Sequence, residues 1–169
     1  MYQATPIASD KRTAYAQAAQ ALEGLLAGER HFVLKMSTMV AVLRQYFGER
    51  FFWCGFYVLH GGALQVAAYQ GTVACLHISL DRGICGRAAR EGKAQIVDDV
   101  HADPAHIACD SRSNSELVLP VFDCERRLIA VLDIDSTEFA AFDAVDAEQI
   151  TLLLERHFSA EPLVMHYAP

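Results

Sequence analysis

The sequence predicts an α+β domain in which helices from both ends of the chain pack on a mostly antiparallel sheet. Three observations support this prediction. Apolar residues recur at helical spacing in the N-terminal third and again near the C-terminus. Between these regions lie short segments rich in aromatic and β-branched residues, and tight turns join them in pairs. A run of hairpin-connected strands between terminal helices is typical of the α+β class.

Two helices are predicted in the N-terminal third. Asp10 can cap the first, whose apolar residues recur at helical spacing from Tyr15 to Leu26. The second follows a short break and has a similar apolar stripe. A last helix is predicted from about Asp143, with a buried stripe that reaches Phe158. These stripes are expected to face the core rather than to carry function.

The strands are predicted to form two hairpins. Residues 51–59 and 63–69 flank a Gly-Gly turn, and residues 116–122 and 126–136 flank a polar turn. Between the hairpins we expect a short strand near residues 76–80, a short helix that Gly92 ends, and a strand at 95–97.

A long polar stretch without periodicity follows, from Asp98 to Ser115. Loops of this length within a compact domain are usually functional or disordered.

Length and composition predict a single domain. With 169 residues and 53% hydrophobic composition, the chain can bury one core, which we place at about 30–158 within a domain spanning 1–169. The tail, 159–169, is apolar for a free terminus. It is expected to pack on the domain or on a second copy of the chain, which would give a homodimer.

Charge and hydropathy exclude several classes of function. The formal net charge of -7 opposes nucleic acid as a partner, because phosphate backbones are bound mainly through Lys and Arg. No apolar run approaches the length of a membrane span, and no secretory signal is apparent, so a cytoplasmic location is expected.

Cys109 is the leading candidate for a chemically active residue. It lies in the long polar loop, with His106 three positions before it and His101 eight before it, and either could accept a proton. A thiol becomes nucleophilic only as thiolate, which requires such surroundings and access for a substrate. Asp110 would raise the pKa of the thiol if its carboxylate lay close. We therefore predict a redox-active thiol rather than a buried structural cysteine.

Cys75 and Cys85 are candidates for a second thiol. A reductase that oxidises one cysteine to sulfenic acid needs another to release it as a disulfide. Cys85 opens the predicted short helix, whose N-terminus could lower its pKa. The residues alone leave the choice between the two open, and a core position remains the alternative for each. Cys54 and Cys124 are expected to be incidental.

Three acids form a second candidate cluster. Strand alternation places Asp133 and Asp135 on one face, and Glu116 could join them across the hairpin. Clustered carboxylates indicate an ammonium or metal site, or a raised pKa suited to proton donation. Solvated charges at a sheet edge are the alternative interpretation.

Metal and nucleotide sites are not predicted. His101, His106 and Cys109 are zinc-type ligands, as are Cys75 and His77, but the sequence lacks a Cys-x-x-Cys pair or a His-Glu-x-x-His motif. The segment GICG at 83–86 lacks the spacing and the lysine of a phosphate-binding loop.

Several motifs together resemble the free methionine-R-sulfoxide reductases, which are stand-alone GAF domains. They are GFY at 55–57, QGTVAC at 70–75, GICG at 83–86, VDDVHADPAHIACDSRSNSELVLP at 97–120 and VLDIDS at 131–136. The ordered set of three cysteines with HIACDSxSxSE is the most specific part. The sequence departs from the family at Asp81, where a glycine is usual, and at DPAH, where FPGH is more typical.

The resemblance implies a GAF-like fold and reduction of the R-sulfoxide of free methionine without a metal or organic cofactor. It implies thioredoxin as the reductant. Cys109 matches the catalytic cysteine, and Cys75 and Cys85 match the pair from which the resolving thiol is drawn, with Cys75 favoured. The positions that match the family's substrate-binding residues are Trp53, Tyr57, Glu116, Asp133 and Asp135.

Two other functions are compatible with parts of the sequence. A non-catalytic GAF module could sense a small ligand or redox state, although such sensors normally accompany an output domain for which 169 residues leave no room. A thiol peroxidase would share Cys109 but would not require three acids in the pocket.

Overall fold

The computed structural model describes residues 10–107 and 109–165, which form one sheet with helices on both faces. The helices are α1 (Lys11–Leu25), α2 (Phe32–Phe47), α3 (Gly83–Glu91) and α4 (Ala144–Leu154). The strands are β1 (Trp53–His60), β2 (Ala63–Gln70), β3 (His77–Ser79), β4 (Gln95–Val97), β5 (Ser115–Phe122) and β6 (Leu128–Ser136). A short 3₁₀ turn, Gly48–Arg50, follows α2, and a π-helical turn, Glu155–Ser159, extends α4.

The sheet is antiparallel throughout, with strand order β3-β2-β1-β6-β5-β4. The hairpins β1–β2 and β5–β6 lie side by side because β1 pairs with β6 at the centre. The predicted α+β class, both hairpins and the two short strands are therefore confirmed.

The helix ends also agree with the sequence. Asp10 caps α1 by accepting a hydrogen bond from the backbone N–H of Thr13. Gly92 ends α3 in the left-handed conformation, with a φ of 61° that glycine adopts without strain. Asp143 caps α4 and forms a capping box with Asp146.

Apolar side chains form a separate layer on each face of the sheet. Helices α1, α2 and α4 cover one face, where Phe56 and Leu132 belong to the larger cluster. Helix α3 covers the other face, where Tyr57 and Val131 belong to a smaller cluster. Adjacent residues on β1 and β6 thus point into different layers, as strand alternation requires. The smaller layer contains most of the side chains predicted to form the site.

Part of the apolar tail packs on the domain. The backbone of Val164 accepts a hydrogen bond from the N–H of Phe32 and donates one to the carbonyl of Arg30. The side chain of Leu163 packs against the larger cluster. The rest of the tail, 166–169, lies outside the described residues. Among the described helices, none has the length and apolar character needed to cross a bilayer.

Asp146 ties α4 to the N-terminal part of the chain. Its side chain is fully buried, and it accepts hydrogen bonds from the Tyr15 hydroxyl at 2.7 Å, Lys11 Nζ at 2.7 Å and an Arg50 guanidinium nitrogen at 3.0 Å. A buried carboxylate is tolerated only when its charge is compensated, as it is here.

We expect Asp146→Ala to lower the free energy of unfolding by about 3–5 kcal/mol, because four donors lose this acceptor: the Tyr15 hydroxyl, Lys11, Arg50 and the Asp143 N–H of the capping box. Urea denaturation followed by circular dichroism measures the loss. Glu148→Ala, at an exposed position of the same helix, is the matched control and should change stability by less than about 0.5 kcal/mol. Equal stabilities of the two variants would contradict this role of Asp146.

Candidate active site

A cleft that is open to solvent at its mouth lies beneath the loops on the α3 side of the sheet. Strands β1, β5 and β6 form its floor, the start of α3 forms one wall, and the loops after β2 and after β4 cover it.

A disulfide between Cys75 and Cys109 forms part of the cover. The two Cα atoms are 5.6 Å apart although the residues are separated by 34 positions in sequence. Cys109 is exposed and Cys75 is half-buried. The structure thus pairs Cys109 with Cys75, whereas Cys85 remains a free thiol.

The three predicted acids lie together on the floor. Glu116 of β5 is directly opposite Asp135 of β6. Asp133 lies two positions earlier on β6 and on the same side of that strand as Asp135. Glu116 is 5% exposed and Asp133 is 7% exposed. These values exclude the interpretation of Glu116 and Asp133 as solvated edge charges.

Burial raises the pKa of all three carboxyl groups. Desolvation is the main cause for each, and the neighbouring carboxyl charge of Asp133 adds to the effect on Glu116. The pKa of Glu116 and that of Asp133 lie well above their usual values, and the pKa of Asp135 rises to about 7. The cluster therefore retains protons at neutral pH and can donate one to a bound substrate. The Oδ1 atom of Asp133 is buried without a hydrogen-bond partner among the described residues, so it can accept a bond from a ligand.

Cys85, on the α3 wall of the cleft, lies beside these acids. The expectation that the N-terminus of α3 lowers its pKa is wrong. Burial, and then the negative charge of Asp133 and Glu116, raise the pKa of this thiol well above its usual value. Desolvation of a thiolate and two nearby acids outweigh the partial positive charge of a helix end. Cys85 is therefore a neutral thiol in this environment.

The predicted histidines have different positions. His106 lines the cleft with its Nε2 atom 3.9 Å from a carboxyl oxygen of Glu116. Burial lowers the pKa of His106, which favours the neutral ring that can accept a proton. The ring of His101 instead forms a hydrogen bond with Asn114. Only His106 lies where it can take part in chemistry at the cleft.

Asp110 connects the two loops that carry the disulfide. Its carboxylate accepts a hydrogen bond from the Thr72 hydroxyl at 2.7 Å and binds the Arg112 guanidinium at 2.8 Å. These bonds hold the pKa of Asp110 below its usual range. The sequence did not point to Thr72, because no motif or spacing links residues that are 38 positions apart.

Trp53 and Tyr57 form an aromatic wall of the cleft. Their ring centroids are 5.8 Å apart, and Trp53 Nε1 donates a hydrogen bond to the backbone oxygen of Thr72. Gly71, with a φ of 138°, lies so close that an added Cβ would be 2.5 Å from Trp53 Cδ1. A glycine at this position therefore allows the chain to pack against the indole.

Among the described residues, one set of potential metal ligands occurs in the cleft. A sulfur of Cys85 and carboxyl oxygens of Glu116 and Asp133 lie within 4.8 Å of one another. The same groups have raised pKa values, so they hold protons that a metal ion would have to displace. The zinc-type set that contains Cys109 is not available in this state, since that sulfur is in the disulfide.

Comparison with known proteins identifies the family. The family profile described as "GAF domain" matches residues 36–156. The chain belongs to the GAF domain family. This confirms the GAF-like fold that the sequence motifs implied.

Named relatives extend the comparison. Free methionine-R-sulfoxide reductase of Escherichia coli is 37% identical over 145 residues, which are 86% of this chain and 87% of that protein. GAF domain-containing protein A of Dictyostelium discoideum is 41% identical over 135 residues, or 79% of this chain and 84% of that protein.

A solved structure agrees with these relatives. The X-ray structure of free methionine-R-sulfoxide reductase from Neisseria meningitidis in complex with its substrate superposes with a TM-score of 0.86 and 40% identity, covering 94% of this chain and 96% of that one. The resemblance to the free methionine-R-sulfoxide reductases is confirmed. The roles of individual residues remain predictions.

Proposed function

We propose that this GAF domain protein is an oxidoreductase that reduces the R-sulfoxide of free methionine to methionine. The observation that supports this most directly is the Cys75–Cys109 disulfide above a floor of buried, proton-retaining acids. Sulfoxide reduction needs a thiol that can be oxidised, a second thiol close to it and a proton donor for the departing oxygen. The cleft supplies all three.

Free methionine sulfoxide fits the chemistry of the cleft. We propose that its ammonium group binds the acid cluster, where Asp133 Oδ1 lacks a partner among the described residues. Its methyl group and side chain would pack against Trp53 and Tyr57. A methionine sulfoxide within a peptide has no free ammonium group, so the acids favour the free amino acid.

The proposed reaction has three steps. The Cys109 thiolate attacks the sulfoxide sulfur while the oxygen takes a proton from an acid of the cluster. The S–O bond then breaks as the hydroxyl passes to the Cys109 sulfur, so methionine leaves and Cys109 becomes a sulfenic acid. The Cys75 thiol then attacks the Cys109 sulfur, water leaves, and the disulfide forms. Thioredoxin returns both cysteines to thiols with two electrons. We propose no metal or organic cofactor, since side chains of the chain itself can provide each reacting group.

The proposed cycle also indicates where the protein works. A disulfide that is reduced in every turnover requires a compartment that keeps thioredoxin reduced. We therefore propose a cytoplasmic enzyme that repairs methionine oxidised under oxidative stress. Membrane and nucleic-acid partners are not part of the proposal, and a homodimer remains a prediction.

Coupled turnover tests the proposal. With thioredoxin, thioredoxin reductase and NADPH, we expect NADPH to be consumed with free methionine-R-sulfoxide. Consumption with the free S form or with peptide-bound sulfoxide should be at least about 100-fold slower, because the site must place the oxygen beside the acids and the ammonium among them.

Two results would contradict it. Tight binding of methionine sulfoxide without turnover would instead support a sensing module, and faster consumption with hydrogen peroxide would support a thiol peroxidase.

A further inference from the structure

The two most exposed large apolar side chains among the described residues both lie beside Cys75. Val73 is 82% exposed and Leu76 is 65% exposed. Single apolar residues on a surface are common and need no explanation. These two, however, occupy the segment that carries one half of the disulfide, so this apolar surface and the redox-active bond are adjacent.

Hydrogen bonds fix this segment at both ends. The carbonyl of Leu76 accepts a bond from the backbone N–H of Val66 in β2 at 3.1 Å. The carbonyl of Thr72 accepts a bond from Trp53 Nε1 at 3.1 Å. The apolar side chains are thus presented from an anchored backbone, which lowers the entropy lost when a partner binds to them.

The neighbouring loop does not oppose an apolar contact. Asp110, next to Cys109, forms an ion pair with Arg112 at 2.8 Å, so the two charges compensate each other. Ile107, on the other side, is half-buried. A protein that covers the disulfide would therefore meet apolar and charge-balanced surface.

We propose that Val73 and Leu76 form a docking surface for a protein dithiol reductant, an inference that rests on the function proposed above. The chemistry of the disulfide determines this occupant. The bond between Cys75 and Cys109 becomes two thiols only when a donor supplies two electrons and two protons, and a dithiol supplies both.

Cys109 is the more exposed half of the disulfide, but Val73 and Leu76 lie on the segment of Cys75, so a partner seated on them has its thiolate beside Cys75. A thiolate of the partner attacks Cys75 Sγ, so a partner–Cys75 disulfide forms, the Cys75–Cys109 bond breaks, and Cys109 leaves as the thiolate that the next turnover needs. The second thiol of the partner then attacks the partner's first sulfur, which is bonded to Cys75 in the mixed disulfide. Cys75 leaves and takes up a proton, and the partner ends as a disulfide.

Comparison of two reductants tests the docking surface. Leu76→Ser should raise the KM for thioredoxin by about tenfold, while turnover with dithiothreitol, which needs no docking surface, should change by less than about twofold. Leu152→Ser is the matched control, because Leu152 is 54% exposed but belongs to α4 on the opposite face of the sheet. It should leave both reactions unchanged.

The possible failures can be told apart. If the unchanged protein shows no turnover with thioredoxin and none with dithiothreitol, the proposed function itself is refuted. Equal thioredoxin KM values for Leu76→Ser and Leu152→Ser, with dithiothreitol turnover intact, would refute only the docking surface. An equal loss with both reductants would also refute it, since Leu76 would then act on the substrate or the fold.

Trapping tests the direction of attack. Thioredoxin with its second active-site cysteine changed to serine cannot complete the exchange, so the mixed disulfide accumulates. Peptide mass spectrometry should locate it on Cys75, and its location on Cys109 would overturn the assignment.

Discussion

Cys109→Ser is expected to abolish reduction of free methionine-R-sulfoxide, with a loss of at least about 10³-fold in kcat/KM. The hydroxyl of serine is not ionised at neutral pH and cannot replace a thiolate as the attacking group. The loss should be the same with thioredoxin and with dithiothreitol, because the missing step precedes reduction of the disulfide. Methionine formation, measured by amino-acid analysis, provides the readout.

Cys75→Ser separates attack from disulfide formation. This variant keeps Cys109, so each chain should still release one methionine in the absence of reductant. Multiple turnovers should continue with dithiothreitol, which can reduce a sulfenic acid directly, but should be strongly impaired with thioredoxin. Cys124→Ser, at an exposed turn, is the control and should behave as the unchanged protein. A first turnover that survives in Cys109→Ser and disappears in Cys75→Ser would reverse the two roles.

The elements of the fold could be predicted because their signals are local. Runs of aromatic and β-branched residues separated by turn residues indicate the hairpins, and caps such as Asp10 and Gly92 mark helix ends. The placement of Asp133 and Asp135 on one side of β6 follows from the alternation of side chains along a strand. Glu116 can be added to this pair because the register of an antiparallel hairpin determines which residues lie opposite each other.

The pairing of the cysteines could not be predicted from the residues alone. Cys75 and Cys109 lie on two loops separated by 34 positions, and the geometry of loops depends on tertiary contacts such as the bond between Thr72 and Asp110. The error for Cys85 has a related cause. The sequence predicts its place at the start of a helix, but the effect of burial beside Asp133 on its pKa depends on how the layers pack.

The raised pKa of Asp135 implies that this residue costs stability. The folded protein keeps the proton up to about pH 7, whereas the unfolded chain loses it near the ordinary value of 3.8. Between these two pH values the folded state binds more protons than the unfolded state, so stability falls as the pH rises through this range. Above pH 7 the full cost is present, and below about pH 4 it vanishes.

Asp135→Asn should therefore stabilise the protein at pH 8 by up to roughly 4 kcal/mol, since each pKa unit corresponds to about 1.4 kcal/mol. The gain should shrink towards zero as the pH falls from 7 to 4. Urea unfolding with the disulfide intact, at several pH values, measures it. Glu148→Gln removes an exposed carboxyl on α4 and should show no such gain.

The same variant should lose at least about tenfold in kcat/KM for free methionine-R-sulfoxide, because an amide can neither donate the proton nor attract the ammonium group. Buried acids at an active site lower the stability of the fold, so neutralising one of them is expected to raise stability and lower activity together. If the variant is instead less stable than the unchanged protein at pH 8, Asp135 is ionised and favourably paired in the folded protein. The acid cluster would then bind the ammonium group of the substrate without supplying a proton.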